Sequence, residues 1–214
     1  MVLGLSISNA KGCSIMIDNQ VRRIIDKPLI YLAKGAIKLG LDADKITFIG
    51  FGVGILAGVA IMLGQMTLAI GLILLSRLCD GLDGSVARLQ GPSDRGAFLD
   101  ISLDFLFYGF IPLSFAIYDS ANALAVAFLL FSFIGTGTSF LSYAAIAEKR
   151  GIDATSKGAK GIYYLGGLTE GTETIIFLCI CCYWPHHFVV FATIFGCLCL
   201  ITTAIRLYRG LIDF

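Results

Sequence analysis

The sequence predicts an all-α integral membrane protein, with six transmembrane helices behind an N-terminal amphipathic interfacial helix. Three observations predict it. The chain is 57% hydrophobic and 14% charged, where soluble domains carry about 25% charged residues. Its apolar residues fall in runs long enough to cross a bilayer, at about 20 residues per crossing. Its basic residues, apart from one inside a run, gather at alternate connections between those runs. Two regions follow: residues 1–45, a cytoplasmic or interfacial arm, and residues 46–214, the six-span domain.

The arm is the most polar part of the chain. Between Asp18 and Leu41 the apolar residues Ile25, Leu29, Leu32 and Ile37 recur at helical spacing, with Arg22, Arg23, Lys27, Lys34 and Lys38 among them. That pattern suits a helix lying in the membrane interface, and equally one packed on the rest of the protein. The first residues, Met1 to Ser8, are apolar with no basic residue before them, and Lys11 comes only afterwards, so no cleavable signal peptide is expected.

The spans are read as residues 46–64, 67–88, 96–118, 121–147, 162–184 and 188–208. Turn-forming or polar breaks separate them: Gly64-Gln65, Gly91-Pro92-Ser93-Asp94, Asp119-Ser120, Glu148 to Gly161, and Pro185-His186-His187. Seven lysines and arginines lie in the N-terminal arm, Arg77 is inside the second span, and Arg88 and Arg95 flank the second connection. Four more sit in the fourth connection and two near the C-terminus, while the first, third and fifth connections have none. By the positive-inside rule both termini and the even connections are cytoplasmic. His186 and His187 then face the opposite side, as interface residues. The seven cysteines form no disulfide or zinc spacing and read as small apolar fillers.

Against this background the stretch from Asp80 to Asp104 is anomalous, because Asp80, Asp83, Asp100 and Asp104 all lie within apolar spans. An acidic side chain at a helix centre opposes insertion by roughly 2.5–3.5 kcal/mol. Asp80 and Asp83 are three residues apart and Asp100 and Asp104 four apart, so each pair shares a helix face. The short turn between the two spans makes them antiparallel neighbours. At 1.5 Å per residue, Asp83 and Asp100 both lie roughly 7–8 Å in from the cytoplasmic end, and Asp80 and Asp104 roughly 12–15 Å in. Four carboxylates so matched cannot all carry charge unaided, and hard divalent cations with oxygen ligands resolve the conflict. Gly81, Gly84 and Ala87 on one helix and Gly96 on the next leave room for a ligand or let helices approach. Arg88 is placed to meet phosphate oxygens at the cytoplasmic mouth.

The spacing Asp80-x-x-Asp83-Gly84-x-x-Ala87-Arg88, then seven residues, then Gly96-x-x-x-Asp100-x-x-x-Asp104 resembles the signature of the CDP-alcohol phosphotransferases. The six-span plan with its interfacial helix is similar to that family as well. The resemblance implies transfer of a substituted phosphate group, the phosphatidyl group in phospholipid synthesis, from a CDP-linked donor to an alcohol with release of CMP. It implies two magnesium or manganese ions held by Asp80, Asp83 and Asp100, with Asp104 as general base and further metal contact. Thr47, Asp80, Gly84, Ala87 and Arg88 would form the CDP site. It further implies a homodimer in a bacterial inner membrane, working on membrane lipids and not on nucleic acid. One departure is visible. Members often enter the first span with Pro-Asn-x-x-Thr, and here it reads Ala43-Asp44-Lys45-Ile46-Thr47, so Thr47 is either a cytidine contact or a helix-start hydroxyl.

A second polar constellation opens the fifth span, where Glu170 and Glu173 stand among Thr169, Thr172 and Thr174 and Gly166, Gly167 and Gly171. Helix rise places both glutamates roughly 12–17 Å deep, level with Asp80 and Asp104. With Lys160 of the preceding loop they form a candidate acceptor pocket, or else an interhelical hydrogen-bond network. Arg77, on the face of Asp80, is expected to pair with it or with another carboxylate. Two other classes are weighed. A membrane prenyltransferase also sets aspartates and magnesium on diphosphates, but with two acidic motifs far apart in the chain, whereas these four lie within 25 residues. A divalent-cation carrier needs acidic sites along a path through the bilayer, and these gather toward one face.

Overall fold

In the computed structural model the described residues are 17–151, 169 and 171–214, with residues 17–27 described by backbone alone. They form helices and no strands. The helices are α1 (Ile17–Lys38), α2 (Ala43–Met62), α3 (Met66–Gln90), α4 (Asp94–Tyr118), α5 (Ala123–Lys149), α6 (Gly171–Tyr183) and α7 (Phe188–Asp213). Single 3₁₀ turns, Ser120–Asn122 and Pro185–His187, lead into α5 and α7.

Four of these helices are long and apolar enough to cross a membrane: α2, α4, and α5 and α7 with their leading turns. The expected six spans differ from this for two reasons. At 25 residues α3 has the length, but Arg77, Asp80, Asp83 and Arg88 interrupt its apolar character. Of the fifth span, expected over 162–184, the described helix covers 13 residues, and Glu170 and Lys160 lie outside the described residues.

Helix ends follow local chemistry. Asp42 caps α2, its Oδ1 accepting from the Lys45 amide at 2.9 Å, and Ser93 caps α4 by accepting from the Gly96 amide at 3.0 Å. Between α3 and α4 the chain turns at Gly91, whose φ of 103° excludes most side chains. That tight turn returns α4 antiparallel to α3.

What draws α3 and α4 together is α2, which packs on both. Gly50, Gly54 and Gly58 repeat every four residues and are buried along one face of α2. A Cβ at Gly50 would stand 2.8 Å from Cys79 Cβ on α3, and one at Gly58 would stand 2.3 Å from the Phe110 ring on α4. Only hydrogen at these positions lets three helices meet at such range. The core beyond is aromatic: Phe115 stacks on Phe188 at 4.5 Å and Phe177 on Phe195 at 4.2 Å. Against it α5 packs on α7, and α6 lies against α3.

The N-terminal helix buries part of the apolar stripe named above, Leu29 and in part Ile37, together with small residues that stripe omits. Leu29, Ala33 and Ala36 are buried, whereas Leu32 is exposed. Ala33 and Ala36 cluster with Ile46 of α2 and Val86 of α3, and Leu29 lies 3.2 Å from the Cβ position of Gly81. Of the two roles open to α1, packing on the protein is the one these contacts display.

Candidate active site

Helices α2, α3 and α4 enclose a polar cleft. It is lined by Thr47, Gly50 and Phe51 from α2, Ser76, Arg77, Asp80 and Asp83 from α3, and Asp100, Leu103 and Asp104 from α4. All four sequence-predicted aspartates therefore share one space. Helical spacing aims each pair inward, and the short turn at Gly91 sets the pairs opposite each other.

Their environments differ. Asp83 is only 4% exposed, and its Oδ2 is buried with no hydrogen-bond partner. Asp80 and Asp104 are joined by Arg77, whose Nη1 hydrogen-bonds Asp104 Oδ1 and lies 3.5 Å from Asp80 Oδ1. Its guanidinium lies 3.9 Å over the Phe107 ring, and Nη2 donates to Ser76 Oγ at 3.3 Å. Ser76 in turn donates to the Gly50 carbonyl at 2.8 Å. A buried hydroxyl, a ring and two carboxylates thus fix the cation.

Among the described residues, the buried side-chain polar atoms with no hydrogen-bond partner are Asp83 Oδ2 and Arg77 Nε. Both belong to residues of this cleft. Buried polar groups in folded proteins are otherwise almost always paired, so the cleft is where a ligand has groups to satisfy. The donor set, carboxylate oxygens supported by hydroxyls, fits a hard divalent cation. No three acidic, histidine or cysteine side chains among the described residues converge on one ion position, and Arg77 stands among the carboxylates.

The residues expected for a nucleotide lie beside the cleft. Thr47 lines it, and its hydroxyl donates to the Ala43 carbonyl at 2.9 Å, the bond of a hydroxyl near a helix start. Gly84 faces open space, with only Arg88 Nη1 within reach of a Cβ there, at 3.5 Å. Ala87 is half-buried one turn before the mouth. Arg88 is exposed, and its Nη2 donates to Ser85 Oγ at 2.9 Å. Gly96 is crowded by Ser93 Oγ and Asp44 Oδ1, at 3.1 and 3.3 Å from its Cβ position. Asp44 also pairs with Arg95 at 3.3 Å, tying α2 to the start of α4. Glu173 is half-buried in the first turn of α6 and is not among the side chains lining the cleft. That turn nonetheless comes close to the site, since a Cβ at Gly171 would stand 3.9 Å from Tyr108 Oη, and the Tyr108 ring lies 5.5 Å from the Arg77 guanidinium.

Ser76, Gly50, Phe107 and Tyr108 are not singled out by the sequence reading. Ser76 had a signal, as a hydroxyl one turn ahead of Asp80 in an apolar span. The glycine repeat of α2 had one as well, in its four-residue spacing.

Comparison with known proteins gives this cleft a context. The chain is 47% identical over 193 residues to the inner membrane protein YnjF of Escherichia coli (strain K12), covering 90% of this chain and 88% of that one. Its fold is shared with the phosphatidylinositol phosphate synthase of Mycobacterium tuberculosis at 21% identity. The structure of that enzyme with CDP-DAG bound matches with a TM-score of 0.69, over 85% of this chain and 92% of that one. Its complex with manganese and citrate matches with a TM-score of 0.68, over 86% and 88%. The model of one family, CDP-alcohol phosphatidyltransferase, matches residues 41–207, which contain all three helices of the cleft. The chain belongs to the CDP-alcohol phosphatidyltransferase family.

Proposed function

We propose that the protein transfers a substituted phosphate group, of the phosphatidyl class, from a CDP-linked lipid to an alcohol and releases CMP. The observation that carries this reading is the convergence of Asp80, Asp83, Asp100 and Asp104 on one cleft whose buried Asp83 Oδ2 has no hydrogen-bond partner. A fold shared with a synthase whose structure contains CDP-DAG supports the donor class. The manganese complex of that same synthase supports a divalent metal.

In this reading Asp80, Asp83, Asp100 and Asp104 hold two magnesium or manganese ions. When bound, such ions neutralise the diphosphate and stabilise the leaving CMP. The chain's own side chains do the rest. Thr47, Asp80, Gly84 and Ala87 receive the nucleotide, and Arg88 swings from Ser85 to a phosphate oxygen with its planar fork. Asp104, whose Oδ1 meets Arg77 in the structure, is assigned to take the proton of the attacking hydroxyl. Glu173, with Glu170 and Lys160 before it in the chain, is assigned to the alcohol, since the start of α6 lies against Tyr108 one turn beyond Asp104.

Residues 46–214 act as one six-span domain, α3 and the fifth span included, in a bacterial inner membrane, and the N-terminal arm rests on its cytoplasmic face. The relative named as an inner membrane protein and the even-numbered placement of basic residues support this orientation. The test is CMP release by the purified protein with Mg²⁺ or Mn²⁺, CDP-diacylglycerol and a panel of alcohols, with products identified by mass spectrometry. A metal-dependent phospholipid product is expected. No CMP from any donor and acceptor, together with metal transport in vesicles, overturns the reading in favour of a cation carrier.

A further inference from the structure

The four aspartates are one half of the cleft's electrostatics, and Arg77 is the other. An arginine within an apolar helix costs about as much as an aspartate there, so its position calls for a reason. It does not point to the helix end, as a long cationic side chain can when its only need is water. Its side chain is 11% exposed, clamped between Phe107, Ser76 and the two deep carboxylates.

The two carboxylates it engages are the deep pair that the metal-site reading gives to an ion. Nη1 is bonded to Asp104 Oδ1 on α4 and approaches Asp80 Oδ1 on α3, so it spans the same helix pair that an ion would. A divalent ion on either of these carboxylates would stand against the guanidinium's positive charge. The shallow pair is different: Asp83 Oδ2 is buried without a hydrogen-bond partner, and neither Asp83 nor Asp100 is bridged to Arg77.

We propose that Arg77 is a resident cation that holds the deep Asp80–Asp104 pair in place of a tightly bound second divalent ion until the diphosphate arrives. The inference rests on the metal-site reading above. The resting protein then takes one ion firmly at the Asp83–Asp100 side. The second binds weakly, because it must displace or stand against a guanidinium that has a ring and a hydroxyl behind it. A CDP diphosphate brings its own negative charge and gives Arg77 Nε, which has no hydrogen-bond partner, an oxygen to meet. Nucleotide and second ion therefore bind cooperatively.

The experiment is a Mn²⁺ titration of the full-length protein in detergent, reading free Mn²⁺ by electron paramagnetic resonance, with and without CDP. Wild type is expected to show one tight and one weak ion, the weak one strengthened by CDP. Arg77→Met is expected to tighten the second ion without CDP by about 5–150-fold, the usual range of coupling between two ligands. Adding Asp104→Asn to Arg77→Met is expected to abolish that gain. Two equally tight ions in CDP-free wild type overturn the proposal with no variant needed. So does a folded Arg77→Met that binds the second ion no better than wild type, which leaves Arg77 a plain structural counter-ion. Absence of Mn²⁺ binding by wild type in both conditions overturns the metal-site reading itself, and this proposal with it.

Discussion

Gly54→Ala adds a single methyl group at the point where α2 supports the cleft. The new Cβ would stand 2.6 Å from Phe107 Cδ2, 3.1 Å from Phe107 Cε2 and 3.1 Å from Ser76 Oγ. To reach an ordinary 3.4 Å contact the ring must retreat by about 0.8 Å. Phe107 is 1% exposed, so the movement is forced into packed neighbours. Overpacking of this kind costs about 1–3 kcal/mol, against the roughly 0.5–1 kcal/mol that alanine gains over glycine within a helix. The net expectation is a loss of up to about 2.5 kcal/mol. The damage reaches the site as well, because the same ring carries the Arg77 guanidinium and the same hydroxyl accepts from it. Gly52→Ala is the internal control, on the same helix with nothing within 4 Å of its Cβ position. Thermal unfolding in detergent, followed by intrinsic fluorescence, compares the two. Gly54→Ala should melt below wild type and lose CMP release, while Gly52→Ala should melt at or above it. Equal melting temperatures would refute the claim that the glycine stripe sets the α2–α4 distance.

Three further outcomes follow from the same geometry. Asp104→Asn should lower CMP release, measured at saturating donor and Mg²⁺, by on the order of 100- to 10,000-fold, the range for loss of a general base. Arg88→Ala should raise KM for the CDP-linked donor by on the order of tenfold with a smaller effect on kcat, and Arg88→Lys should recover only part of it, because lysine lacks the planar fork. Leu29→Ala should cost about 2–5 kcal/mol as a buried truncation, and limited proteolysis should then cut within α1, since Leu29 is the contact that seats that helix on Gly81.

The acidic site was legible because it depends on one helix period and one short connection. Three- and four-residue spacings put each aspartate pair on a face, and the turn at Gly91 leaves only an antiparallel return, so the two pairs had to meet. The role of Gly81 was not legible in the same way. Ligand space and helix packing ask for the same missing side chain, and only the approach of Leu29 decides for packing. The apolar residues of α1 were a partial guide for a related reason: Leu29 and Ile37 pack on the protein and Leu32 does not. Periodicity marks the face that is hydrophobic, but the close fit on α3 and α2 selects small residues, so Ala33 and Ala36 are buried and Leu32 is left exposed.

By itself the sequence determined the all-helical class and the inward face of the four aspartates, because these follow from composition, helix period and spacing along one chain, and its motif carried the resemblance to the family. Tertiary structure decided which helix completes the cleft and what the aspartates pair with. Arg77 had several carboxylates within a side chain's length, and its engagement of Asp104 across the helix pair follows from the Phe107 ring and the Ser76 hydroxyl that hold it. Those contacts exist only because the Gly50–Gly54–Gly58 face lets α3 and α4 close on α2. Distances between helices are set by side chains far apart in sequence, and no local pattern encodes them.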